Sequence, residues 1–504
     1  MKKINYLLAA ALFIAAGCDK SPVDQGTSDE GNVYMQFSVK MLSTRSATDN
    51  KGDNGGNSNS NANPDVEVGL DKENKISTVD IALVKGDQYY VAENVTPSSA
   101  SADTYVASFS TLELTAGATY KVYIYANCSA PDAFNVDEVS NATIGAMTAD
   151  NKFWMTNAYS ANEITLPSDL APYTQPNTPL SLGAHKVERS MARFDYKQAG
   201  AFDMGAGITL TLTEAALINQ SKAHYMFRRV TADATATATG AVVGGAEVPN
   251  NWVVDTDWSN KVAANFNAQL SAPSTWTWTS LASLTTDDNY TGDYKIWCYA
   301  KENTIPGIDA QKHDVSTGVV FKAELTAGEG ASTAVKNAMA AKKRIYVFNN
   351  VLYGAWSDVK AAAEAGTDAT LQAAYNKAAA TIAADATEPK GADAAAAGFT
   401  GYSAKNGKYY NYYYYWNRHN DNLDNNVMGI MEFAVVRNNV YKLAVNSINR
   451  FGHPTPPDPT NPDPDPEPDP DPVDPDDPDE SVNYYFNVTV KVLPWTVRIN
   501  NIEF

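Results

Sequence analysis

The sequence predicts an all-β protein: two tandem β-sandwich domains with minor helical insertions, followed by a last strand set apart behind a spacer. Three observations carry this prediction. Tyr is abundant at 28 residues, alongside many Thr, Ser and Asn, a composition that leans toward strands. Short apolar stretches alternate with period two between turn signals along most of the chain, as half-buried strands do. Finally, residues 482–504 repeat that alternation beyond a proline–acid run that cannot enter a core. With 504 residues, 44% hydrophobic and 19% charged, the chain has room for two or three domains and the composition of a globular protein. A net charge of −20 argues against a nucleic-acid backbone as partner.

The chain opens with Lys2 and Lys3 before the apolar run Ile4 to Ala16. This predicts a signal peptide over residues 1–17, too short to span a bilayer as a helix. The run ends Ala15-Ala16-Gly17-Cys18, which resembles the processing site of bacterial lipoproteins, although Ala15 stands where Leu is usual. Lipid on Cys18 is therefore the expected membrane attachment, and plain secretion with cleavage near Gly17 is the alternative. After a polar tether, Val33, Met35, Phe37, Val39 and Met41 alternate with Tyr34, Gln36, Ser38 and Lys40, giving a strand that runs toward Arg45. Ser46 to Pro64 is rich in Asn, Gly, Ser and Asp, so Arg45 lies between a strand and a flexible stretch, where proteases cut.

Short strands follow. Val79, Ile81 and Leu83 alternate; Gln88–Val91 comes after the Gly86–Asp87 turn; Tyr120, Val122 and Ile124 share one face. The stretch Val187 to Asp195 marks the expected boundary between residues 46–190 and 191–452. Further strands are expected at Ile208–Leu212, Tyr294–Ala300, Gly318–Leu325 and Met431–Val436, the last turning at Asn438–Asn439 into Val440–Ile448. Helical periodicity appears at Thr333–Lys342, with Val335 and Met339 four apart, and at Asp368–Ala384, with Leu371, Tyr375, Ala378 and Ile382 on one stripe.

From Pro454 to Glu480 the chain holds 12 of its 25 prolines and 11 of its 58 acidic residues, with no Lys or Arg. Such a run, within the spacer 453–481, favours extended polyproline II stiffened by like-charge repulsion. At ~3.1 Å per residue it reaches on the order of 80 Å, which suits contact with a neighbouring molecule better than folding back. In the strand beyond it, Tyr484, Phe486, Val488, Val490 and Val492 alternate with polar residues. At Leu493–Pro494 the phase slips, and Leu493, Trp495, Val497 and Ile499 carry the apolar face, as at a bulge.

No catalytic constellation is present: the five histidines are scattered, and no HExxH, CxxC or GxSxG occurs. The chain is expected not to be an enzyme and to need no cofactor or metal. Asn420 to Asn425 lacks the Gly and terminal Glu of an EF-hand loop. Cys128 and Cys298 lie in separate strand-like stretches and are expected to be free thiols. The run Tyr409 to Trp416 is expected to bury one face and display a row of tyrosines on the other, for packing, subunit contact or ligand binding.

Taken together, several pieces resemble type V pilins, and in particular the major stalk fimbrillins of short fimbriae. They are Cys18, the strand ending at Arg45, LTAGATYKVYIYAN (114–127), ERSMARFDY (188–196), VVRNNVYKLAVNSINRFG (435–452) and VTVKVLPWTVRINNIEF (488–504). The Ala/Gly-rich stretch Val359–Gly398 looks like a local insertion. The resemblance implies transthyretin-like sandwiches, export as an outer-membrane lipoprotein palmitoylated on Cys18, and cleavage between Arg45 and Ser46 by an Arg-specific protease. It also implies a lipidated propeptide over 18–45 and polymerisation by donor-strand exchange. The donor residues are then Tyr484, Phe486, Val488, Val490, Val492, Trp495, Val497 and Ile499, and the partners are copies of the chain, anchor and tip subunits, and no nucleic acid. The place of action is a cell-surface fimbria supporting adhesion. A surface glycan-binding β-sandwich lipoprotein, or an anchor or tip component of the same filament, are the competing readings.

Overall fold

The computed structural model describes residues 33–41, 69–101, 104–111, 114–158, 161–231, 242–243, 252–284, 293–305, 311–419, 429, 431–456 and 486–494. Strand far outweighs helix and is arranged in several sheets, in agreement with the all-β expectation. The first sheet contains nine described strands. Eight of them form a continuous path built from β1 (Val33–Met41), β2 (Val79–Lys85), β3 (Gln88–Val95), β4 (Ser98–Ser101), β5 (Thr104–Thr111), β6 (Thr119–Ala126), β7 (Met155–Asn157) and β8 (Leu180–Arg189). Their order across the sheet is β3-β2-β6-β7-β8-β1-β5-β4. The β2–β3 hairpin turns at Gly86–Asp87 as expected, with Gly86 at φ 58°, a conformation that costs glycine least.

Two further sheets build the rest. One runs β11-β9-β14-β15, from β9 (Ala192–Lys197), β11 (Tyr294–Ala300), β14 (Asn439–Ile448) and β15 (Phe486–Pro494). The other centres on β10 (Ile208–Ile218), β12 (Gly318–Ala327) and β13 (Tyr409–Trp416), paired in that order. One buried apolar cluster draws on residues 33–191 together with Val440, and another on residues 192–451. The chain passes from the first to the second between Met191 and Ala192.

Helix α1 (Thr333–Ala340) starts on the Ser332 hydroxyl, which accepts from the Val335 amide, a standard N-cap. Asp368 caps α3 (Ala369–Ala379) in the same way. The Ala-rich stretch holds two more helices, α2 (Trp356–Glu364) and α4 (Gly391–Ala396). These pack around Trp356, Phe399 and Tyr346 as a small satellite core. Among the described residues no helix is long and apolar enough to cross a membrane.

One element differs from expectation. Met431–Val436 is a turn followed by a single bridge, Val435 to Asn303, and no hairpin joins it to β14. Here Met431 sits at φ 58° and the Asn438 amide donates to the Met191 carbonyl. β14 takes β9 as its parallel neighbour. The apolar run in 431–436 reflects burial on more than one side of a loop, since Met431, Phe433, Ala434, Val435 and Val436 are all buried.

Candidate functional site

β1 forms because its residues alternate, and its alternation is resolved as burial. Val33, Met35, Phe37 and Val39 are buried, while Tyr34, Gln36 and Ser38 are half-buried. It lies inside the sheet rather than at its margin: antiparallel to β5 from Val33↔Thr111 to Lys40↔Thr104, and parallel to β8 from Met35↔Leu180 to Met41↔Val187. A shift in the β8 register between Gln36 and Ser38 coincides with Gly183 at φ 82°. The Phe37 ring meets Phe109 edge-on at 6.0 Å and His185 at 5.8 Å. His185 is itself buried, its Nε2 3.1 Å from the Leu182 carbonyl and its Nδ1 3.3 Å from the Asn162 amide nitrogen. Burial pushes the His185 imidazole below its ordinary value, partly opposed by the Leu182 carbonyl, so the neutral ring is favoured against Phe37.

This placement sets the consequence of losing β1. Among the described residues, β4 and β5 are joined to the rest of the sheet's ladder through β1 alone. Withdrawal would leave two facing edges of unpaired N–H and C=O groups and an apolar trough between them. Four buried apolar side chains on β1, at roughly 1.5–3 kcal/mol each, correspond to ~6–12 kcal/mol of gross burial free energy.

The strand read from sequence as a donor, β15, is attached differently. It pairs antiparallel with β14 from Asn439↔Pro494 to Ile448↔Phe486, with an irregularity between Val445 and Ser447. It ends the sheet order, so among the described residues a single ladder holds it. The expectation that the tail is unsuited to folding back therefore needs correction: β14 would otherwise present an open edge, and edges recruit matching strands. Of the expected donor residues, Phe486, Val488, Val490 and Val492 have their backbones in this ladder. Tyr484, Trp495, Val497 and Ile499 lie outside the described residues, as do Cys18, Arg45 and Ser46.

The first residues described after Met41 are fixed by a buried ionic cluster that sequence reading missed. Glu73, in a short helical turn (Asp71–Asn74), accepts from Arg193 at 2.9 Å, from the Tyr299 hydroxyl at 2.7 Å and from the Leu70 amide at 2.7 Å. Arg193 also makes a two-pronged contact with Asp195, both bonds 2.9 Å. Glu73, Arg193 and Asp195 are fully buried. Arg189 extends the cluster to Asn74 and, at 3.4 Å, to Asn438. Two more buried pairs, Glu188–Arg228 and Glu302–Arg437, tie neighbouring segments. The signal was present in Glu188, Arg189, Arg193 and Asp195: charges inside strand-length runs must be paired when buried.

The tyrosine row of β13 is not displayed. Tyr409, Tyr412, Tyr413, Tyr414 and Trp416 are buried and Tyr410 and Tyr415 half-buried. Trp278 packs 6.0 Å from Tyr412, Trp276 6.5 Å from Tyr414, and Lys322 lies 4.3 Å over the Tyr410 ring. Both faces are covered because β13 lies between cores on either side. Cys128 and Cys298 are free thiols, and burial raises both above the ordinary thiol value. Among the described residues no group of three His, Cys, Asp or Glu could hold a metal; the Asn420–Asn425 stretch lies outside them.

Residues 405–501 match the family described as major fimbrial subunit protein type IV, fimbrillin, C-terminal. Two of the similar solved structures are a putative cell adhesion protein from Parabacteroides distasonis and a fimbrilin from Porphyromonas gingivalis. The first is 12% identical, covering 93% of this chain and 99% of that one, with a TM-score of 0.41. The second is 14% identical, with coverages of 93% and 99% and a TM-score of 0.38. The tip fimbrial protein Mfa3 from Porphyromonas gingivalis is 10% identical, with coverages of 83% and 95% and a TM-score of 0.34. No curated protein sequence matches the chain.

Proposed function

We propose that this chain, whose C-terminal part carries the fimbrillin signature, is a non-enzymatic structural subunit of a cell-surface fimbria that polymerises by exchange of strands. The observation that carries the reading is the central, doubly paired position of β1. In the precursor, β1 fills its own seat and the molecule is closed. Cleavage between Arg45 and Ser46 by an Arg-specific protease severs β1 from the body. The vacated seat has two edges, whereas β15 on β14 uses only one. A donor moving from one edge into a two-edged trough gains a second ladder, each net hydrogen bond contributing ~1 kcal/mol, besides the apolar seat. Phe486, Val488, Val490 and Val492 repeat the period of Val33, Met35, Phe37 and Val39, as the register of strand addition requires.

Such a contact joins one surface of a subunit to a different surface of the next, so it does not close on itself and builds a filament. Removing residues 1–45 takes away five basic residues (Lys2, Lys3, Lys20, Lys40, Arg45) and four acidic ones (Asp19, Asp24, Asp29, Glu30), moving the net charge from −20 to −21. Before the cut, lipid on Cys18 would hold the precursor at the outer membrane. Anchor and tip subunits would join the filament through the same kind of seat or strand. A stalk role is favoured over an anchor by the presence of a candidate donor strand, β15. The buried state of the β13 tyrosines removes the platform on which the glycan-binding alternative rested.

The test is cleavage of purified precursor at Arg45 by an Arg-specific protease, followed by size-exclusion chromatography and electron microscopy. The wild-type chain is expected to yield filaments, and Arg45→Ala a folded monomer. Filaments of normal length from Arg45→Ala overturn the reading.

A further inference from the structure

Asp255, Lys261 and Asn303 meet in a buried polar cluster that the fimbrial reading does not use. Asp255 follows the short strand Trp252–Val254, and its side chain is fully buried. Its Oδ2 accepts from the Thr304 amide at 2.8 Å and from Lys261 Nζ, while its Oδ1 has no hydrogen-bond partner among the described residues. Lys261 is 4% exposed; its Nζ also contacts Asp257 and lies 2.9 Å from Asn303 Oδ1. Asn303 is fully buried and locked by its backbone to Val435 through both bridge hydrogen bonds. Its Nδ2 donates to the Val315 carbonyl at 2.8 Å and to Thr317 Oγ1 at 3.0 Å. The Thr317 hydroxyl spends its own proton on the Asn219 carbonyl, so it can only accept from Asn303. The amide is thereby fixed with its oxygen toward the amine. Val253, Val254, Trp258, Ala434 and Val436 cluster beside this group, and the Lys261 amine lies 5.7 Å over the Phe266 ring.

We propose that Lys261 and Asn303 form an intramolecular isopeptide bond, with Asp255 as the proton carrier. A buried ammonium–carboxylate pair is costly to desolvate, and transfer of one proton from Lys261 to Asp255 leaves both neutral. Burial favours that state at Asp255, whose carboxyl is pushed above its ordinary value against the pull of Lys261. At Asp257 burial pushes upward too, but Lys261 and the Asn265 amide hold it below the ordinary value, so it stays the charged neighbour. The freed amine adds to Asn303 Cγ, whose amide oxygen already lies 2.9 Å from Lys261 Nζ; Asp257 stays ionised and resists nucleophiles, and Asp255 serves as the proton carrier. The Asn303 Cγ–Nδ2 bond breaks as the Lys261 Nζ–Cγ bond forms. Asp255 relays a proton from the attacking nitrogen to the leaving one. Ammonia departs, and Asp255 ends protonated, holding the proton that Lys261 gave up at the start. No oxidant or reductant is consumed, and the positions of amine and amide are set in advance by the fold.

The bond would join segments 42 residues apart in sequence, beside the Val435 bridge that leads to β14. It concerns one folded subunit and is read on the monomer, so it stands or falls separately from strand exchange. The experiment is tandem mass spectrometry of peptides from the purified, denatured full chain, with Asp255→Asn and Lys261→Arg alongside. The expected result is a branched peptide linking Lys261 to Asn303, lighter by one ammonia than its two parts, and absent from both variants. Unlinked peptides carrying intact Lys261 and Asn303 in the wild type overturn the proposal, whatever the variants do. A link from Lys261 to Asp255 or Asp257 with loss of water also overturns it. A persisting Lys261–Asn303 bond in Asp255→Asn overturns the role given to Asp255.

Discussion

β1 and β15 are both alternating strands from the two ends of the chain, yet they are held in opposite ways. β1 is paired along both edges, with its apolar residues in the core. β15 is paired along one edge, at the margin of its sheet. A strand ladder opens from its ends and margins, so a marginal strand can leave while the rest of the fold persists. A central strand cannot leave without parting the sheet. On the proposed reading, the difference would account for cleavage at one end of the chain and not at the other: β1 would have to be cut loose, whereas β15 would need only to peel.

The largest effect tests the two strands directly. Deleting residues 482–504 is expected to leave a folded monomer that never assembles, whereas deleting residues 33–41 from the precursor is expected to give aggregates. Analytical ultracentrifugation separates these outcomes, and a folded, monodisperse protein lacking β1 would break the comparison. Next in size, Phe37→Ala should destabilise the precursor by ~3–5 kcal/mol in urea titrations. It should leave the cleaved subunit unchanged, because residue 37 is then gone; equal losses in both forms would mean that β1 stays seated after the cut. Removing one member of the junction, as in Glu73→Gln or Arg193→Met, should cost about 3–5 kcal/mol in both forms, since it strands a buried charge.

A smaller effect follows from His185. Its folded-state value lies below the ordinary 6.5, so the unfolded chain takes up the proton first as the pH drops. The contribution of the neutral ring is fully present above 6.5 and declines as pH falls from there through the lowered value. The precursor melting temperature should therefore drop across that window, and His185→Phe should flatten the slope. An unchanged slope would remove His185 from the account of how β1 is held.

Much of the fold was legible because burial and period coincide. Val33, Met35, Phe37 and Val39 alternate in sequence and are buried in the structure; Gly86–Asp87 turns as read; Ser332 and Asp368 cap the helices expected there. Legibility failed where both sides of a segment are covered. The β13 tyrosines read as one buried and one displayed face, but tryptophans on the outer side close it. Met431–Val436 read as a strand because a loop between two cores is as apolar as one. The Glu73–Arg193–Asp195 junction joins residues more than a hundred positions apart, a pairing that no local pattern encodes. Pairing partners were equally hidden: nothing in the alternation of β1 says that β5 and β8 flank it, or that β15 docks on β14.

The account rests on β1 leaving its seat before assembly, and the amino terminus of subunits in native fibres tests this most directly. Fibres should be collected by shearing, dissociated and sequenced from the N-terminus. The account predicts chains beginning at Ser46, with no peptide covering Val33 to Met41. Fibres built from chains that still carry that strand would contradict it.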